Sequence, residues 1–422
     1  MIAAPMGAEP DKRPRGAGLW LGPLREANFR RLAGAQWASL LGDYMILAAL
    51  PFAVFAVGGS TTQVGIAFGV DAAALLAFLL LGGVLGDRLS RRSVMIGADL
   101  VRFGAEGVFA LLLLSGRAEL WQLLVVQVIH GACSAFFLPA LSGLLPETVC
   151  EERLQEANAL RGLCASSAAM IGPALAGILL ATAGPGWVFA VDAVSFLLSA
   201  GFLTGLRLDA RSHGEGSILA DLVEGWGEFR RRTWLWAVVV EFALLNALVF
   251  APFYVFGAGV AERSLGGPGA WAAILAAVGM GELVGGLVAL SWRPRQPLLA
   301  ATMAIVAWAP AVLLLAALAP VGAIVPFAGL AGMGLALFAA IWHTTLQSHV
   351  PGEQLSRLSS YDWLGSVALL PVGYLLAGFV EAVLGPRAGL LGAGVVVLVA
   401  TSAMASVPSI RRLGSPELEA PA

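Results

Sequence analysis

Seven ionisable residues stand where the surrounding sequence is almost wholly apolar: Asp43, Asp71, Asp99, Arg102, Glu106, Glu241 and Glu282. An ionisable group in hydrocarbon costs at least about 2.5–3.5 kcal/mol, so each needs a counter-charge, water or a task. Asp99, Arg102 and Glu106 fall at i, i+3 and i+7, which is one face of a helix, and Arg102 and Glu106 form an i, i+4 pair. Two readings stay open for this stripe, a structural ladder of ion pairs or part of a polar pathway. Asp43, Asp71, Glu241 and Glu282 cannot all be paired, because Arg102 is the one buried cation expected. Some of them must face water or hold a proton. A carboxyl removed from water favours its neutral form, the property required of a group that loads a proton on one side of a membrane and unloads it on the other. Glu282 stands in Gly279-Met280-Gly281-Glu282, where small neighbours permit close approach; for each acid a hydrogen-bonded structural role is the alternative. Asp192 and Glu381 read as boundary residues.

A second concentration of charge is the loop Gly83-Val84-Leu85-Gly86-Asp87-Arg88-Leu89-Ser90-Arg91-Arg92, wedged between two long apolar runs. The nearby Asp99 reads as a partner for these arginines. Aromatic residues Tyr44, Phe136, Phe137, Trp308, Trp342 and Trp363 suit the wall of a cavity for an amphipathic solute, or equally core and lipid packing. His343 reads as a titrating group or as a hydrogen-bond donor. Other chemistry is not signalled. Cys133, Cys150 and Cys164 are odd in number and support neither a disulfide framework nor a metal site. No Gly-x-x-x-x-Gly-Lys-Ser/Thr run occurs, and no catalytic constellation stands out among 4 His. Neither an enzyme nor a cofactor is expected.

The elements that must position these groups are membrane spans. The chain is 59% hydrophobic and 12% charged, with mean hydropathy +0.84, against about 25% charged for an ordinary soluble domain. At ~20 apolar residues per span, the runs fall at 32–57, 62–84, 93–115, 120–143, 158–182, 186–206, 233–257, 269–291, 297–318, 322–346, 358–382 and 388–408. This predicts an all-α integral membrane protein with twelve spans. With both ends inside, the outer loops hold only Arg117, Arg263 and Arg387, and Arg102 lies in the third span; the rest of the 25 basic residues are inner. That asymmetry predicts cytoplasmic termini. The net charge of -2 does not argue for nucleic acid, since the cations sit at membrane edges. The first 28 residues are basic and rich in Pro and Gly, with no visible signal peptide.

An ungapped shift of 201 residues aligns 131–177 with 332–378. It pairs Gly131 with Gly332, Gly172 with Gly373 and Gly177 with Gly378, and it repeats a loop Val-x-x-Glu-x-Leu at Val149 and Val350. A parallel repeat of six helices follows, with a cavity expected between the halves at mid-membrane. The expected organisation is a tail 1–28, a six-helix bundle 29–206, a linker 207–232 with an amphipathic segment from 218, a second bundle 233–408 and a tail 409–422.

The pattern Gly-x-x-x-Asp-Arg-x-x-Arg-Arg at 83–92 resembles motif A of the major facilitator superfamily. Ala135-Phe136-Phe137-Leu138-Pro139-Ala140, Leu144-Leu145-Pro146-Glu147-Thr148-Val149, Leu154–Leu160, Gly172–Gly177, Phe189–Phe196 and Ala98–Arg102 are similar to the branch with enterobactin and macrolide exporters. The resemblance implies two parallel six-helix repeats, a cytoplasmic gate at Gly83, Asp87, Arg88, Arg91 and Arg92, and a monomer in the inner membrane. It also implies export of an amphipathic drug or siderophore-like molecule in exchange for protons. Asp43 and Glu282 become the favoured carriers, since the first and seventh helices and their neighbours commonly line the cavity there. Gly172, Pro173 and Gly177 resemble the antiporter motif of the fifth helix; Pro173 removes a backbone hydrogen bond and the glycines allow close approach, so a bend or tight packing both fit. Two features depart from the pattern. The second motif A position, 285–295, lacks the Asp, and His130-Gly131 stands where drug antiporters of better-known branches carry Arg near a Gln-Gly pair, which argues against a relay through Arg. A facilitator, an importer, a lysolipid flippase and a non-transporting scaffold or sensor remain the alternatives.

Overall fold

The computed structural model describes residues 22–88, 90–150, 153–207 and 226–413; the side chains of 80–88, 155, 352, 353, 355–357 and 412 stand outside the described residues. Helices dominate and, among the described residues, no strand occurs, as expected where backbone groups in lipid must be satisfied within their own segment. In chain order the long helices are α1 Ala27–Ala56, α2 Thr61–Arg88, α3 Arg91–Leu114, α4 Leu120–Leu144, α5 Leu154–Thr182 and α6 Pro185–Thr204. The second half has α7 Thr233–Leu265, α8 Pro268–Ala289, α9 Pro297–Ala316, α10 Val321–His349, α11 Gly352–Val367 and α12 Leu370–Ser406. Most extend beyond the apolar runs that announced them.

By length and composition, 10 described helices are apolar enough to cross a membrane. The expected twelve is reached only by adding α3, whose charges weaken its apolar signal, and by dividing α12 at Gly385. There the backbone turns to φ 80°, ψ 162°, separating a limb 370–384 from a limb 386–406. The connections have a pattern of their own. A left-handed residue sits at Gly58 after α1, Gly116 after α3, Gly184 after α5, Gly266 after α7, Leu318 after α9 and Gly385 within α12. These tight turns all fall at one end of the bundle, where glycine accepts positive φ at little steric cost. The opposite end carries Arg30, Arg31, Arg91, Arg92, Arg153 and Arg293.

Within the first half α2 packs on α4, α3 on α6, and α1 on α5 and α6; in the second, α8 packs on α10 and α12 on α7 and α9. The halves meet where α5 lies on α8 and the first limb of α12 lies on α2. The sequence repeat is reproduced in these contacts. Gly131 on α4 abuts the Asp71 carbonyl of α2, as Gly332 on α10 abuts Val278 of α8. Gly172 lies on Leu41 and Tyr44 of α1, as Gly373 lies on Ala247 of α7. Gly177 then meets Ala272 of α8, and Gly378 meets Thr62 of α2, each across the boundary between halves. The chain is thus an all-α membrane fold of two parallel repeats. The amphipathic linker segment is described only from residue 226, where Trp226 and Phe229 stack at 5.7 Å and lie on Tyr361 of α11.

Candidate functional site

Gly131 decides the central site. With no side chain there, the backbone of α2 at Asp71 comes against α4, and the adjacent His130 reaches two carboxylates. His130 Nδ1 lies 2.8 Å from Asp71 Oδ1 and Nε2 lies 3.2 Å from Asp43 Oδ1. The imidazole thus ties α4 to α2 and α1 near mid-membrane. All three side chains keep some exposure, 19% for His130, 29% for Asp43 and 26% for Asp71. Direct contacts at these lengths leave no room for an ion between the groups, and no metal-holding cluster occurs among the described residues. Two of the four acids thus have a histidine as their partner, a pairing not expected from the sequence.

Tyr44, next to Asp43, lies within electrostatic reach of Glu282 on α8 and Tyr254 on α7. Tyr374 lies within reach of Tyr254 and Asp71 and stacks on Phe68 at 5.1 Å. Side chains of both halves therefore converge: Asp43, Tyr44, Asp71 and His130 from one, Tyr254, Glu282 and Tyr374 from the other. Glu282 has no cationic partner among the described residues. Glu241 stands apart on α7, 3% exposed, with neither carboxyl oxygen hydrogen-bonded.

The α3 stripe is resolved into two separate devices. Arg102 turns back to Asp99, 2.7 Å away, rather than forward to Glu106. Its guanidinium lies 4.2 Å from the Phe196 ring centroid and 4.9 Å from that of Phe137, and Ser199 donates to the other Asp99 oxygen at 2.6 Å. The expected pairing of Asp99 with the loop arginines is corrected for Arg91 and Arg92, since Asp99 is held by Arg102 and Ser199 inside the bundle; the Arg88 side chain lies outside the described residues. Glu106 instead faces Asp192 of α6, near enough for the two carboxyl groups to interact. Both Glu106 oxygens and Asp192 Oδ2 are buried without a donor, and a hydrogen bond between the two groups requires a proton on one of them. Asp192 is therefore no boundary residue: it is fully buried, with Ser195 donating to it at 3.0 Å. Gly42 makes the room, since any Cβ there would overlap Asp192 and Ser195.

Among the expected gate residues, Gly83, Asp87 and Arg88 lie outside the residues whose side chains are described. Arg91 donates to the Gly143 carbonyl at 2.8 Å and to Glu147 at 2.8 Å, and Arg92 to the Leu203 carbonyl at 2.9 Å and to Thr204. Both thus cap the ends of α4 and α6 within their own half, as cations at helix C-termini do. Helix α5 continues through Pro173, with Gly172 on α1 and Gly177 on α8 as packing contacts. Glu381 pairs with Arg263 at 3.1 Å. Of the aromatic candidates, Trp308 is core packing at 1% exposure and Trp342 donates to Asp362 at 3.0 Å. His130, Asp192 and Ser199 were not anticipated as site residues; the signals were a polar residue beside a close-packing glycine and polar residues at helical spacing in the sixth span.

A polytopic helical bundle with two repeats and ionisable groups converging between them defines a membrane transporter. The family model described as Major Facilitator Superfamily matches residues 32–361, and the chain belongs to that superfamily, whose members are transporters rather than enzymes. It is 22% identical to macrolide efflux protein A of Streptococcus pyogenes over 84% of this chain and 90% of the relative. It is 26% identical to the enterobactin exporter EntS of Escherichia coli O1:K1 / APEC over 88% and 89% of the two chains. The uncharacterized MFS-type transporter YfiS of Bacillus subtilis (strain 168) is 33% identical over a stretch spanning 42% of each chain. In fold the chain is similar to the nucleoside transporter NupG in a mutant form, with TM-score 0.71 and 14% identity over 89% of this chain and 98% of that one. It is likewise similar to a bacterial homologue of the human lysosomal transporter Spinster, inward-facing and occupied, with TM-score 0.69 and 16% identity over 93% and 99%.

Proposed function

We propose that the protein is a proton-driven exporter of amphipathic small molecules, acting by alternating access in the inner membrane with both termini in the cytoplasm. The observation that carries this reading is the His130 bridge between Asp43 and Asp71. An imidazole holds two carboxyl groups at once with protons on both ring nitrogens, or with one ring proton and one proton on an aspartate. Either arrangement contains one proton more than a neutral imidazole facing two carboxylates. Loss of that proton breaks one contact and leaves the imidazole tied to only one of α1 and α2. Proton number is thereby tied to how three helices of the first half are held, which is the two-state element that coupling requires. The arginine-rich end supports a cytoplasmic placement. Contacts between the halves concentrate toward the glycine-turn end, which supports a state open toward the cytoplasm.

The site chemistry favours one kind of cargo. Glu282 beside Tyr44 and Tyr254 offers a carboxyl and aromatic faces, which suit a cationic amphiphile over an anionic siderophore. Everted vesicles with an acid interior test this, with collapse of the gradient recorded as amine-bearing amphipathic drugs or catecholate siderophores are added. Collapse that requires an amine-bearing compound, and that is lost in His130→Gln and in Glu282→Gln, is the expected result. No compound-dependent collapse from any panel member would overturn proton-driven export in favour of a facilitator, importer, flippase or scaffold.

A further inference from the structure

The loop from α8 to α9, Ser291-Trp292-Arg293-Pro294-Arg295, occupies the place of a second arginine loop and takes no part in the central site. Its Trp292 is a wall shared by two cavities. One, of about 250 Å³, is bounded by Trp292, Arg293, Thr344, Thr345, Ser348 and His349. The other, of about 430 Å³, runs between α9 and α10 and is lined by Trp292 and by apolar side chains including Met303, Leu330, Met333 and Leu337. Along α10 the lining residues Leu330, Met333, Leu337, Ile341, Thr344 and Ser348 recur every three or four positions, so one helix face floors both cavities. That face is apolar up to Ile341 and hydroxyl-bearing beyond it. At ~1.5 Å per residue the apolar part, 330–341, runs for roughly 16 Å, about half of a ~30 Å hydrocarbon core. It is open to the bilayer side, for Leu330 and Trp292 are both exposed.

We infer that this composite cavity holds one resident anionic glycerophospholipid, its phosphate against Arg293, Thr344 and Ser348 and one acyl chain in the groove between α9 and α10. The charge argues for the headgroup. One terminal nitrogen of Arg293 donates to the carbonyls of Ala289 at 3.1 Å and Trp292 at 3.3 Å, and the residue has no carboxylate partner among the described residues. The rest of the guanidinium is left for a phosphate; the Thr344 and Ser348 hydroxyls beside it donate to the Ala340 and Thr345 carbonyls in this structure and would have to turn to reach the phosphate. A zwitterionic lipid brings the same phosphate with an ammonium attached, and among the described residues the polar cavity is lined by no carboxylate to receive one. Basic pockets between helices at the inner membrane surface are suited to such headgroups. The site lies outside the central cluster, so it stands whether or not proton-driven export does.

Native mass spectrometry of the purified full chain tests the assignment, with phosphatidylglycerol and phosphatidylcholine of identical chains, and with inorganic phosphate alone. One phosphatidylglycerol is expected to be retained in preference to phosphatidylcholine. Arg293→Gln should weaken that retention about fivefold, the fold-change of the ~1 kcal/mol that a basic residue contributes near anionic lipid. Leu330→Trp, which fills the groove from an exposed position, should displace the lipid without unfolding the protein. Arg117→Gln, in a loop at the other end, should change nothing. Equal retention of the two lipids, or unchanged retention in both Arg293→Gln and Leu330→Trp, overturns the proposal. Phosphate binding that is lost in Arg293→Gln while lipid retention is indifferent to it would mark a free-anion site and overturn it as well.

Discussion

At the scale of single residues, the first half buries two charge devices that respond differently to substitution. Arg102 and Asp99 form a buried ion pair, and removing one partner from such a pair costs about 3–5 kcal/mol. Arg102→Ala should therefore lower the thermal midpoint in detergent sharply. Arg102→Lys keeps the charge yet cannot stack on Phe196 and Phe137 in the same way, and should still cost about 1–2 kcal/mol. Glu106 and Asp192 behave otherwise, because they need a donor rather than a charge. Glu106→Gln supplies an amide N–H to Asp192 and should leave the midpoint nearly unchanged, whereas Glu106→Ala orphans a buried oxygen at about 1–3 kcal/mol. A matching loss in both Glu106 variants would show that the shared proton is not what joins the pair. The ionisable residues themselves were legible in the sequence, as charges in apolar runs. Their pairings were not, because helical spacing shows which residues share a face and not what the facing helix brings. Asp192 looked like a boundary residue because its burial depends on Gly42, 150 positions earlier in the sequence. His130 was weighed only as a missing arginine, although its neighbour Gly131 marked the close crossing that delivers it to Asp71.

At the scale of elements, the glycines divide into those that space helices and those that do not. A Cβ at Gly131 or Gly332 would run into the backbone of the neighbouring helix, while one at Gly104 on α3 meets nothing within 4 Å. Overpacking at a tight crossing costs typically about 1–3 kcal/mol, whereas Gly→Ala in an open helix gains about 0.5–1 kcal/mol. Gly131→Ala and Gly332→Ala should both lower the thermal midpoint, and Gly104→Ala should raise it slightly; equal effects at the three sites would sink the assignment of the first two as helix spacers. The equivalence of Gly131 and Gly332 was legible as a repeat because both halves need the same close crossing at the same place. The described helices lie where hydropathy placed the apolar runs, while the count of twelve rests on including the charged α3 and on dividing α12 at Gly385. Helix ends were less legible. Some helices continue past their apolar runs, as α10 does to His349, where Ser348 donates to the Thr345 carbonyl, a contact that hydropathy does not register.

At the scale of the whole molecule, the contacts between halves have two characters. Near mid-membrane they are small and close-packed, with Gly279 of α8 against Ala169 and Met170 of α5, and the close packing continues to Gly65 of α2 against Tyr374 and Gly378 of α12, one turn from the glycine-turn end. At the glycine-turn end they become polar. Thr62 donates to the Gly378 carbonyl at 3.1 Å, and Arg263 donates to Thr61 at 3.3 Å while holding Glu381 at 3.1 Å. Thr61, Thr62, Arg263 and Glu381 line a cavity of about 370 Å³ that also touches Gly59, Gly259 and Glu262. A polar closure exchanges protein partners for water at little net cost, since an exposed ion pair is worth about 0–1 kcal/mol. Under the proposed alternating access, this closure is suited to open and shut during a cycle, and the packed glycines would serve as the surfaces about which the halves move. A clamp across it should arrest transport without disturbing either half. In a chain with Cys133, Cys150 and Cys164 replaced by Ala, Thr61→Cys and Arg263→Cys joined by a bifunctional thiol reagent are expected to abolish substrate movement, and reductive release of a cleavable reagent should restore it. Each single variant treated with the same reagent should retain transport. Full transport in the cross-linked protein would mean that this end does not separate during the cycle, and the rocking of one repeat against the other would have to be abandoned for this chain.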